Sequence, residues 1–109
     1  MSKAVVIRYE TRADAAEENQ RLVERVFDEL NEATPPGFRY AAFRLADGVS
    51  FLHVVISEGD DSPLSRLPAF AEFQRRASER MAGSPTRSDA ALVGSYRFCA
   101  PETERRSRS

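Results

Sequence analysis

Apolar and polar positions change period several times along the chain, and each change marks an element. Lys3 to Glu10, KAVVIRYE, is short, charged at both ends and rich in β-branched and aromatic residues, which predicts a strand. From Ala13 to Ala33 the period becomes helical. Leu22, Val23, Val26, Phe27, Leu30 and Ala33 recur on one side, Glu17, Glu18, Arg21, Glu24, Arg25, Asp28 and Glu32 on the other, and Asp14 stands as N-cap with Glu17 three residues on. Thr34 to Gly37, TPPG, ends this helix, since proline lacks an amide donor and glycine admits turn conformations.

Phe38 to Ser57 then holds two strands around Asp47-Gly48, a dipeptide that between apolar runs predicts a hairpin. Glu58 to Pro63 is a loop, and Leu64 to Gly83 is predicted as a second helix, with Leu67, Phe70, Ala71, Gln74, Ala77 and Met81 on one face and Pro68 early in it. Ala91 to Cys99, ALVGSYRFC, is the last predicted strand. The order βαββαβ implies an α+β, ferredoxin-like domain over residues 1–100, one four-stranded antiparallel sheet with both helices on one face. Residues 101–109 lack apolar anchors and are expected to form a disordered charged tail.

Alternation along strands splits the sheet into two faces. Val5, Ile7, Tyr9, Ala41, Phe43, Leu45, Leu52, Val54, Ile56, Leu92, Tyr96 and Phe98 form a nearly all-apolar set, expected under the helices. The other set is mixed: Val6, Arg8, Phe38, Tyr40, Ala42, Arg44, Phe51, His53, Val55, Val93, Ser95, Arg97 and Cys99. A solvated face would be more polar, so a second copy of the chain is expected to cover it, in a homodimer joined sheet to sheet with His53 and Arg97 at or near the interface.

The totals narrow the classes. With 109 residues there is length for one core. A formal net charge of −1, with arginines interleaved among acids and Lys3 as the only lysine, gives no electrostatic case for nucleic acid. Charge returns at Arg8 after four apolar residues, too soon for a signal-peptide core or a membrane span, so a cytoplasmic protein is expected. A single cysteine, Cys99, and a single histidine, His53, argue against a zinc or haem site built by one chain, and no cofactor is expected. Glu58, Asp60 and Asp61 lack the spacing and glycine of a calcium loop and read as a solvated turn.

The element order, the mixed sheet face, the PLSRLPAFAEFQ entry to the second helix and the closing VGSYRF together resemble the dimeric α+β barrel superfamily, and within it small actinobacterial-type relatives of the antibiotic biosynthesis monooxygenase group. The likeness spans Lys3 to Cys99 and its motifs are structural. It implies a cavity beside the sheet for a small, often aromatic molecule. For monooxygenase members it implies oxidation by molecular oxygen without metal or flavin, after deprotonation of an enolisable phenol. That chemistry needs a dry pocket, a base and donors facing developing negative charge. No Trp is present and residues 67–82 contain no His, unlike the haem-degrading branch.

Candidate groups follow. His53 is the candidate base, or else an interface histidine satisfied by a partner. Tyr96 joins it as a catalytic candidate, with Tyr9, Tyr40 and Arg97 as substrate-binding candidates through hydroxyl and guanidinium donors; Arg8 has the same chemistry, and either arginine is equally read as half of an ion pair with Glu10, Asp47 or Glu58. Asn19 lies near the apolar stripe of the first helix but is expected in solvent, and Cys99 has too little basic surrounding for a reactive thiolate. Two functions remain open: a cofactor-free monooxygenase or binder of a small aromatic molecule, or a non-catalytic dimeric interaction or scaffold module. No catalytic triad, phosphate loop or carboxylate pair favours a third.

Overall fold

In the computed structural model, residues 3–58 and 62–97 are described. Four strands, β1 (Lys3–Glu10), β2 (Phe38–Arg44), β3 (Ser50–Ser57) and β4 (Thr86–Ala90), form one antiparallel sheet in the order β2-β3-β1-β4. The long helix α1 (Ala16–Ala33) and the short helices α2 (Pro68–Gln74) and α3 (Ala77–Arg80) complete the expected ferredoxin-like α+β fold, the helices lying on one face. Phe98, Cys99, Asp60, Asp61 and the tail lie outside the described residues.

Local chemistry accounts for most of the boundaries. Helix α1 buries Ala16, Asn19, Leu22, Val23, Val26 and Leu30, one stripe at helical period. It stops where Thr34 turns left-handed (φ 43°) and its N–H bonds the Leu30 carbonyl, with the two prolines just beyond. Asp14 does not cap it. A 3₁₀ turn at Ala13–Ala15 precedes α1, and the Asp14 carboxylate is taken by Arg12 at 3.0 Å, which leaves the N-cap, Ala15, without a side-chain acceptor. The hairpin is closed by Asp47, whose carboxylate accepts the Val49 and Ser50 amides and the Ser50 hydroxyl, while Gly48 takes φ 82°.

Three further expectations are corrected. The second helix is not continuous: a 3₁₀ turn (Pro63–Arg66) leads into α2, which ends at Gln74, and α3 restarts after Arg76 in the left-handed region at φ 63°. Arg80 explains how the break is satisfied, since its guanidinium donates to the Phe73 carbonyl at 2.6 Å and the Arg75 carbonyl at 3.5 Å, groups a helix end leaves open. The last described strand is Thr86–Ala90, and residues 91–97, the described part of the expected Ala91–Cys99 strand, form none. Thr86–Ala90 is a polar edge strand held by backbone pairing to β1, and it buries none of its side chains, so hydrophobic pattern could not reveal it. The apolar run after it is left outside, with Leu92 56%, Tyr96 83% and Val93 99% exposed.

The faces of β2 and β3 are the third correction. Ile7 pairs with His53 and Tyr9 with Phe51, so the helix side of the sheet carries Ile7, Tyr9, Phe51, His53, Tyr40, Phe38 and Ala42. Only β1 was assigned to the correct face. His53 therefore looks into the core and not toward a second subunit. Both alternating sets on β2 and β3 are largely apolar, and the aromatic set went inward, where Phe51 stacks on Tyr9 at 5.5 Å and Tyr40 meets Phe27 at 4.7 Å. The outer face carries the largely aliphatic set Val6, Ala41, Phe43, Leu52, Val54 and Ile56 together with Arg8 and Arg39.

Candidate functional site

A chain of hydrogen-bonded polar side chains crosses the core between sheet and helices. His53 stands on β3 between Ile7 of β1 and the small Ala42 of β2, and that small neighbour leaves room for rings on either side. The Tyr9 hydroxyl lies 2.9 Å from Nε2 of His53, and the Tyr40 hydroxyl 2.6 Å from Nδ1. Asn19 of α1 donates through Nδ2 to the Tyr9 hydroxyl at 2.9 Å and accepts through Oδ1 from Nε of Arg80 at 3.0 Å. Five residues from five elements thus form one line, Arg80, Asn19, Tyr9, His53, Tyr40. Phe73 packs beside it, 5.9 Å from the imidazole and with the Arg80 guanidinium 5.2 Å from its centroid.

Burial sets the electrostatics. His53 is 4% exposed, and loss of water pushes its pKa down to about 4, so the ring is neutral at physiological pH. Tyr9 is pushed up to about 12, mainly by burial, against the opposing effects of the Asn19 hydrogen bond and the Arg80 charge. Tyr40 is raised too, by burial first and by Tyr9 second. Both phenols keep their protons. Arg80, 5% exposed, has no carboxylate within ion-pairing distance among the described residues, and carbonyls, an amide and a ring hold its charge instead.

The structure brings together three of the five residues singled out from sequence, His53, Tyr9 and Tyr40, and leaves two elsewhere. Tyr96 and Arg97 sit on the exposed segment after β4, the Arg97 guanidinium 5.5 Å from the Tyr96 ring centroid. Tyr96 lines a cleft of about 500 Å³ on the outer sheet side with Arg39, Val54, Ile56 and Leu92. Arg8 is exposed on that same side. Asn19, expected in solvent, is 0% exposed; its place three residues before Leu22 on the apolar stripe was the available signal. Arg80 left no such signal, because the break at Arg76 is what turns it inward. Among the described residues, no three His, Cys, Asp or Glu side chains gather as a metal ion would require, and no helix is long and apolar enough to cross a membrane.

No protein-family model and no curated protein matches the sequence. Solved structures do match it in fold. Rv0793 from Mycobacterium tuberculosis superposes with a TM-score of 0.70 at 17% identity, over 87% of this chain and 98% of that one. A proposed antibiotic biosynthesis monooxygenase from Bacteroides thetaiotaomicron gives a TM-score of 0.72 at 12% identity, over 85% and 90%. An engineered variant of SnoaB, a cofactor-independent oxygenase from Streptomyces nogalater, gives 0.62 at 17%, over 86% and 95%. The chain thus shares its fold with these solved structures, a proposed antibiotic biosynthesis monooxygenase among them, in agreement with the fold that the sequence resemblance implied.

Proposed function

We propose that this protein binds a small aromatic molecule beside the Tyr40 end of the buried chain and oxidises it with molecular oxygen, without metal or flavin. The observation that carries the reading is the chain itself. Two tyrosines, a histidine, an asparagine and an arginine held by no carboxylate among the described residues, all inside an aromatic core, exceed what packing needs, since apolar residues of similar volume would fold as well. Phe27, Phe38 and Tyr40 are only half-buried, which suits entry of an aromatic ring at that end. The fold neighbours include an oxygenase that works without a cofactor. Conversion of a phenol to a quinone would consume one molecule of oxygen and release one of water, the substrate supplying the electrons.

The working unit in this reading is a homodimer. The outer sheet face, with Phe43 43% exposed and the apolar segment of Leu92, Val93 and Tyr96 beside it, is the surface a second copy would cover. Tyr96 and Arg97 belong to that side, apart from the buried chain. A non-catalytic dimeric module is the competing function. It is favoured by one fact: every buried side-chain polar atom among the described residues already has a partner, so no fully buried polar atom waits for a ligand.

Native mass spectrometry of the protein from its own cells, followed by oxygen-electrode assays on phenols and naphthols, separates the two. A retained aromatic compound and oxygen uptake that falls at least tenfold in Tyr40→Phe are expected. A bare protein that takes up no oxygen with any phenol refutes the enzymatic reading.

A further inference from the structure

We infer that Arg80 is the positioning residue of this site: it sets the direction of every hydrogen bond in the chain, so that His53 is held with its proton on Nδ1 and the Tyr40 hydroxyl is the outgoing donor. A guanidinium only donates. Asn19 must therefore present Oδ1 to Arg80 and its NH₂ to Tyr9, an orientation fixed by chemistry. The Tyr9 oxygen is then an acceptor, and its own hydrogen needs a partner in a site where Tyr9 is 5% exposed. Nε2 of His53, at 2.9 Å, is that partner. The neutral ring accordingly carries its hydrogen on Nδ1 and donates to the Tyr40 oxygen at 2.6 Å. With the reverse tautomer, Tyr9 would receive two donors and its buried hydroxyl hydrogen would be stranded.

The consequence for chemistry rests on the ligand site proposed above, whereas the donor order does not. Both nitrogens of His53 are committed inside the chain, so the imidazole is not the base that meets a ligand. Tyr40 meets it instead, as a donor whose hydrogen points away from His53. The ligand group that fits is an acceptor oxygen, a carbonyl or an oxyanion, and the chain serves to stabilise negative charge on that oxygen.

The test is the nitrogen chemical-shift pattern of His53, the only histidine in the chain, in long-range proton–nitrogen correlation spectra of the full-length protein at neutral pH. A pyrrole-type shift for Nδ1 and a pyridine-type shift for Nε2 are expected; the opposite pattern overturns the inference. In Asn19→Asp the carboxylate would accept from both Arg80 and Tyr9, which frees the Tyr9 oxygen to receive the ring, and the two shifts should exchange. A folded Asn19→Asp protein with unchanged shifts overturns the ordering role, because a histidine merely packed in the core would not respond to a residue it does not touch. Should that variant fail to fold, the wild-type spectrum decides alone. Neither spectrum needs a ligand, so loss of the oxygenase reading and loss of this one are separately visible.

Discussion

Lowering the pH from 7 to 5 should cost this protein about 2 kcal/mol of stability through His53 alone. Burial holds the folded-state pKa at about 4, against 6.5 for the ordinary side chain. Between those values the unfolded chain binds a proton that the folded chain refuses. Stability is therefore full above the unfolded value, falls as pH falls through the window, and has lost the whole contribution below the folded value. One proton corresponds to a slope of about 1.4 kcal/mol per pH unit once the unfolded ring is fully protonated, and integration from pH 7 to pH 5 gives the figure above. That is a large share of the roughly 5–15 kcal/mol that holds a domain of this kind together. Asp14, Asp47 and Glu72, whose carboxyls are held low by Arg12, by the Ser50 hydroxyl and backbone amides, and by Arg75 respectively, lose their contributions only at more acid pH. Urea unfolding of the wild type and of His53→Gln at both pH values isolates the effect, since the variant contains no histidine. Equal losses in the two proteins between pH 7 and pH 5 would refute the argument that burial keeps the ring uncharged.

Other outcomes are expected from named contacts. Asn19→Leu removes the acceptor of Arg80 and the donor to Tyr9 in one step, and should lower stability in urea by about 3 kcal/mol, the scale of stranding buried polar groups; a loss below about 0.5 kcal/mol, typical of surface sites, would contradict the buried chain. Val54→Arg, at the centre of the outer sheet face between Val6 and Ala41, should leave the circular dichroism unchanged and convert the proposed homodimer into a monomer in sedimentation, and a persistent dimer would move the interface elsewhere. Gly48→Ala meets no atom within 4 Å but must hold φ at 82°, so thermal unfolding should register about 1 kcal/mol of backbone strain; a neutral result would mean that the hairpin turn re-forms in another geometry.

Much of the architecture was legible in the chain without its fold. A helical stripe from Leu22 to Leu30, a β-branched run at Lys3–Glu10 and the Asp47-Gly48 turn each carry their own local cause, in side-chain period, rotamer stiffness or turn chemistry, and each stands where those causes place it. Tyr9, Tyr40 and His53 were recognisable as chemistry-bearing residues set in apolar strands. Their meeting was not recognisable. Which face of β2 and β3 turns inward depends on the register of β3 against β1, a contact between residues more than forty positions apart, and both alternating sets were apolar enough to serve as a core. The edge strand Thr86–Ala90 escaped notice for a related reason: an edge position asks for backbone pairing and not for a buried side chain. Asn19 and Arg80 entered the site only through packing, one because α1 presses its apolar stripe on the sheet, the other because a left-handed residue at Arg76 breaks the helix and swings a guanidinium under it. Local propensities choose elements one at a time. The order of donors and acceptors through five residues is decided only when five of those elements close around the same buried space.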